Sequence, residues 1–162
     1  MADGTIEGVV PDAANEAVLG KLIGTGTARE VHEHGGEPGR IVKASRGPVP
    51  SSNWTEWLLW NQGADTDLAK ILGRYFAISQ SGRYLVMERL RNLTQEEKQT
   101  PARRPCWITD AKPSAFGMSV DTEVKLRDYS QVNIGAVLAA AAVVPHPLKA
   151  DSQMEIWARL PR

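Results

Sequence analysis

Between residues 18 and 87 the sequence breaks into short runs that suit strands, each closed by glycine or another turn former. This punctuation limits the available folds more than any other feature. Runs over 18–23, 30–34 and 40–45 are separated by Gly24-Thr25-Gly26 and by Gly35-Gly36, a pattern of antiparallel hairpins. Ser51-Ser52-Asn53 then offers helix-capping side chains. Trp54, Trp57, Leu58 and Asn61 follow at helical spacing, so a helix of about three turns is expected. A second helical piece over 65–72 leads to runs over 75–79 and 83–87, and Gln80-Ser81-Gly82 between them predicts another hairpin. Three strands, a helix and two strands give an α+β chain whose first part is a five-stranded antiparallel sheet carrying one helix. Residues 1–16 read as acidic, small and irregular, outside that sheet.

Residues 92–105 are polar and bracketed by Pro101 and Pro105, which suits a linker or a short irregular helix. Beyond them, 116–119 and 123–128 read as strands around an acidic turn at Asp121-Thr122, with Val124 and Leu126 alternating with Lys125 and Arg127. Residues 132–144 are alanine-rich and compatible with a helix, and a proline-containing tail follows.

Composition removes several function classes. Nineteen Lys and Arg residues balance nineteen Asp and Glu residues, so no global positive field gathers nucleic acid or anionic lipid. The single cysteine, Cys106, has no intramolecular partner for a disulfide, and a reducing, cytoplasmic setting is the default. The first residues lack a secretory pattern. The longest apolar stretch, 134–144, falls well short of the roughly 20 residues a membrane crossing needs. The 162 residues fit a single domain.

Five groups of residues carry chemistry. Gly24-Thr25-Gly26-Thr27-Ala28-Arg29-Glu30-Val31 has the outline of a phosphate-cradling loop, because glycines let backbone amides approach phosphate oxygens where a Cβ would obstruct. Arg40-Ile41-Val42-Lys43-Ala44 sets a lysine among apolar neighbours, and the helix after it supplies an acidic partner, Glu56. Tyr84-Leu85-Val86-Met87-Glu88-Arg89-Leu90 is an apolar strand running into a charged loop. Asp110-Ala111-Lys112-Pro113 and Asp128-Tyr129-Ser130 place two aspartates 18 positions apart.

In this order the groups resemble the protein-kinase-like family, over roughly residues 21–130. The resemblance implies a protein-kinase-like α+β fold: an extension over 1–16, an upper lobe over 17–91, a linker over 92–105 and a truncated lower lobe over 106–162. It also implies ATP and Mg²⁺ as cofactors. Gly24, Gly26 and Val31 would cover the phosphates and Lys43 would contact them, held by Glu56. Met87 would line the adenine pocket, with main-chain groups of Glu88 to Leu90 along the adenine edge. Asp110 would orient the attacking hydroxyl, Lys112 would offset charge on the transferring phosphoryl, and Asp128 would hold the magnesium.

Several positions depart from the family pattern. Arg29 replaces the third glycine, Ala115 stands where a metal-binding asparagine is expected, Ile108 and Thr109 replace His-Arg, and Ser130 replaces a glycine. Only 22 positions separate Glu88 from Asp110, and 34 residues follow Asp128, which leaves out the helical substrate platform. The favoured expectation is therefore a pseudokinase-type binding module that engages a partner protein, with compact proteins of bacterial viruses as the analogy. The alternative is an active serine/threonine-type phosphotransferase, for which Lys112 two positions after Asp110 is the argument. A homodimer could cover apolar surface left by the missing helices. His32 and His34 share a strand face without two further metal ligands, and Trp54, Trp57 and Trp60 suit packing better than ligand stacking.

Overall fold

The computed structural model describes residues 7–99, 101–105, 112–130 and 143–147. The chain divides into two compact units: unit 1 is Met1–Gln62 with Arg74–Arg89, and unit 2 is Gly63–Gly73 with Leu90–Arg162.

Unit 1 is built on a sheet of β1 (Gly8–Val10), β2 (Leu19–Thr25), β3 (Arg29–His34), β4 (Arg40–Ser45), β5 (Tyr75–Ser79) and β6 (Tyr84–Glu88), in the order β1-β5-β6-β4-β3-β2. Its hairpins follow from the turn chemistry. Gly26 N–H closes the β2–β3 turn on Arg29 O at 2.8 Å, and Gly82 at the β5–β6 turn has φ 78°. A Cβ at Gly82 would lie 2.0 Å from Trp54 Nε1, so both the backbone angle and the indole seated on the turn demand glycine there.

The residue alternation of β4 and β6 sorts the sheet into two faces. On one side Val42, Ala44, Ala77, Tyr84 and Val86 form an apolar cluster, with Val10, Val18, Leu19 and Phe76 packed against it. A register shift between Tyr75 and Ala77 lets the neighbours Phe76 and Ala77 both join that cluster. On the other side lie Lys43 and Tyr75, bound to the helix α2 (Ser51–Gly63) through Glu56.

The expected five-stranded antiparallel sheet and the protein-kinase-like fold are corrected here. The sheet has six strands and is mixed, because β1 joins β5 in parallel, pairing Gly8 with Ala77 and Val10 with Ser79. A short helix, α1 (Asp12–Glu16), follows it and contacts β5 and β6. Residues 7–16 are thus ordered structure rather than an irregular extension. Val9 and Val10 supply the strand propensity, and Asp12 anchors the helix start by accepting from Ser81 N at 3.0 Å.

The described residues of unit 2 hold 3-10 turns at Asp67–Lys70, Glu97–Gln99 and Pro113–Ala115 and two small sheets. β7 (Pro101–Pro105) pairs antiparallel with β10 (Val143–Pro147), and β8 (Phe116–Met118) pairs antiparallel with β9 (Val124–Leu126). The stretch read as a linker therefore contributes a strand, and Val143 and Val144 belong to β10 rather than to the end of a helix. β-branched valines before prolines favour extended backbone. The rest of the expected helix, 132–142, lies outside the described residues. Leu72, Phe116, Leu126 and Tyr129 are each at most 1% exposed, and the Tyr129 hydroxyl donates to Gly73 O at 3.0 Å. The helical piece expected over 65–72 is a single 3-10 turn, with Thr66 Oγ1 accepting from Leu68 N. Arg91 grips Glu97 with two guanidinium bonds of 2.8 and 2.6 Å and holds its carboxyl down to about 2. Among the described residues no helix is long and apolar enough to cross a membrane.

Candidate functional site

The strand pairing puts Gly24 opposite Val31, Val31 opposite Lys43, and Lys43 opposite Leu85, so four strands contribute one transverse row. Residues directly opposite in antiparallel strands point to the same face. With strands about 4.8 Å apart, Gly24 lies roughly 10 Å from Lys43, across one intervening strand. Lys43 sits in the inner strand β4 and is 5% exposed. Its ammonium donates to Glu56 Oε2 at 3.0 Å and to the Tyr75 hydroxyl at 2.8 Å.

Glu56 is fully buried and is the hub of the site. It accepts from Arg29 Nη1 at 2.6 Å and Nη2 at 3.1 Å, from Lys43, and from the Tyr75 hydroxyl at 2.5 Å. A planar guanidinium meets both carboxylate oxygens at once, which fixes the acid's orientation as a point charge would not. Asn53, also fully buried, continues the network. Its amide donates to the Gly82 and Arg83 carbonyls at 2.9 Å each, and its oxygen accepts from Arg29 Nη1 at 3.3 Å. Helix α2 is thereby fastened to β3, β4, β5 and the β5–β6 turn by polar contacts.

This geometry revises the helix reading. The buried positions of α2 are Asn53, Glu56, Leu59 and Gly63, spaced at three, three and four, whereas Trp54, Trp57 and Trp60 are half-buried and Leu58 is 56% exposed. Asn53 lies inside the helix rather than capping it. The polar residues were inside and the aromatic ones partly outside, the inverse of an ordinary amphipathic pattern.

Of the residues singled out in the sequence, the structure brings Lys43 and Glu56 into contact, with Val31 beside Lys43 and Gly24 beside Val31. Met87 is fully buried in β6. Glu88 Oε1 accepts from Arg74 N, and the Glu88 and Arg89 amides donate to Arg74 O and Gly39 O, so both N–H groups are engaged within unit 1. Leu90 belongs to unit 2, where a Cβ at Gly117 would lie 2.6 Å from its own Cβ. Lys112 is exposed at the start of the Pro113–Ala115 turn, Ala115 is buried, and Asp128 is exposed after β9. Beside Asp128, burial draws the Arg127 guanidinium below its usual value while the aspartate opposes that shift. Asp110 lies outside the described residues. Among the described residues no three His, Cys, Asp or Glu side chains gather as a metal site. His32 faces Gly20 O and Glu30, and His34 faces its own turn.

Sequence reasoning did not find Arg29, Tyr75 or Asn53 as members of this network. Arg29 carried a signal, since an arginine standing in a glycine-rich turn one residue before an alternating strand has a side chain to place. Tyr75 and Asn53 carried none, because a strand-initial tyrosine and a helix-initial asparagine are ordinary. No family model matches this chain, and no curated protein matches it.

Proposed function

We propose that this chain is a nucleotide-binding module that engages a partner protein, holding the phosphates of ATP, accompanied by magnesium, at Lys43 in a reducing cytoplasmic setting. The observation that carries this reading is the placement of Lys43: a buried ammonium on an inner strand, oriented by Glu56, in one row with Val31 and the glycine-bearing end of β2. A lysine so held is a point charge suited to phosphate oxygens.

The glycines add independent support. A Cβ at Gly24 would meet nothing nearer than 3.6 Å, and at Gly26 nothing nearer than 3.5 Å, both ordinary contacts, and neither residue has a positive φ. Gly20 in the same strand differs, since a Cβ there would lie 2.7 Å from Glu33 O. The fold needs glycine at 20 but not at 24 or 26, so the open backbone of that turn suits close approach by a ligand.

Thermal melting of the full chain with ATP and Mg²⁺ tests this. Binding to the native state raises stability by mass action, about 2.7 kcal/mol at a hundredfold excess over Kd. The melting midpoint rises with nucleotide concentration, and Lys43→Met abolishes the rise. A midpoint unmoved by ATP on the order of millimolar, the weak end of specific affinity, overturns the proposal.

A further inference from the structure

Residues 8–10 pair along the edge of β5 as an added ligand would, and the helix α1 that follows contacts β5 and β6. β1 is only three residues long and pairs in parallel with β5, with Val10 O accepting from Gln80 N at 2.8 Å and Val10 packed on the apolar cluster. At one end of the edge Arg40 and Arg74 stack on Phe76, their guanidinium carbons 3.7 and 4.6 Å from the ring centre. Glu7 reaches toward both, at 3.9 Å from Arg40 Nη2 and 4.0 Å from Arg74 Nη2. At the other end the Asp12 carboxylate accepts from Ser81 N at 3.0 Å and from Ser81 Oγ at 2.5 Å. The edge thus reads an acid, then an apolar β-branched residue three positions on, then a second acid two positions further.

The segment fills this edge imperfectly. The Glu7 contacts are too long for hydrogen bonds, and Glu7 and Arg74 are each 55% exposed, a setting in which an ion pair contributes little. Val9 is 57% exposed. Asn15 is fully buried, with neither amide atom hydrogen-bonded among the described residues, an arrangement that opposes docking of α1.

We infer that the β5 edge and the apolar face beside it are the docking site for an extended acidic segment of a partner protein, with residues 7–16 occupying it in cis as a displaceable stand-in. This rests on the reading of the chain as a partner-engaging module. A partner strand carrying the same acid–apolar–acid spacing, with close contacts to Arg74, takes the site by exchange, in the manner of strand addition to a sheet edge.

The test uses a fluorescent peptide of residues 7–17 titrated into the full chain and read by anisotropy. Glu7→Gln with Asp12→Asn in the chain weakens the resident segment while leaving Arg40, Arg74, Phe76 and Ser81 intact. The peptide then binds saturably and about tenfold more tightly than to the unaltered chain, the size expected for charge-assisted contacts. Glu7→Gln alone, at an exposed position that cannot unfold the chain, gives a smaller gain in the same direction. A peptide carrying both substitutions loses the binding. No saturable binding by any of these chains, equal affinity for all of them, or equal binding of the substituted peptide overturns the inference. The ATP response is read in parallel: peptide capture without an ATP shift retires the nucleotide reading alone, and an ATP shift without peptide capture retires this one.

Discussion

The two faces of the unit 1 sheet solve the same problem with opposite materials. Against α2 the sheet presents Lys43 and Tyr75, and every polar group of the Glu56 hub is matched by donors at 2.5 to 3.1 Å. On the opposite side the sheet presents Val42, Ala44, Ala77 and Val86, covered by Val10, Val18, Leu19 and Phe76, while α1, which contacts β5 and β6, accepts one bond from the Tyr84 hydroxyl at Glu16 and buries Asn15, whose amide finds no partner among the described residues. Burial alone therefore says little about how firmly an element is held. The charged face is costly to break because its ions cannot return to water without the helix leaving, whereas the apolar face carries a polar misfit that makes release of its cover cheaper.

The contrast is broken most severely at Glu56. Glu56→Ala withdraws the carboxylate shared by Arg29, Lys43 and Tyr75, and a loss of about 3–5 kcal/mol in denaturant unfolding is expected. A loss under about 1 kcal/mol would make the hub a bystander. On the other face Asn15→Leu, the apolar residue of like shape, removes the misfit and raises stability by about 1 kcal/mol. A fall instead would mean that the amide is satisfied, for example by an internal water.

A third prediction concerns pH. His34 is buried, and its Nδ1 accepts from the Gly36 and Glu37 amides at 3.2 and 3.0 Å, so the folded state holds the neutral ring. Burial pushes its pKa below the ordinary 6.5, with Arg40 acting in the same sense and Glu37 against it. The unfolded chain takes up the proton first, so this stability is complete above about pH 6.5 and is lost as pH falls through 6.5 toward the lowered folded value. Melting curves between pH 7.5 and 5 should show the decline, and His34→Gln should flatten it. Smallest is the effect of replacing Gly24 and Gly26 together by alanine. Stability should change by less than about 0.5 kcal/mol, since each new methyl finds room, while the ATP response is lost. A large destabilisation would show that the turn needs glycine for itself.

What could be read in advance follows the range of the forces involved. β2, β3, β4, β5, β6 and α2 were legible because alternation and glycine turns are local signals, and Lys43 with Glu56 was legible because a charge amid apolar residues calls for a partner. β1 and α1 were not, since three strand residues in an acidic run acquire meaning only when the β5 edge, far along the chain, is there to pair with them. β7 was hidden for the same reason, its partner β10 lying about forty positions on. The inward face of α2 was misread because tryptophan outranks glutamate in any hydropathy pattern, while the buried contacts that settle the matter belong to Arg29 and Tyr75 on other strands.

Contact between Lys43 and nucleotide phosphate can be caught chemically with an acyl phosphate of ATP. When such a reagent binds, a nearby lysine amine attacks the acyl carbon, an amide forms, the acyl–phosphate bond breaks and ATP departs, leaving a mark that peptide mass spectrometry locates. Lys43 should carry the mark, excess ATP should suppress it, and Gly24→Ala with Gly26→Ala should reduce it. Labelling spread over exposed lysines such as Lys21, Lys70 and Lys112, with Lys43 untouched, would contradict that contact.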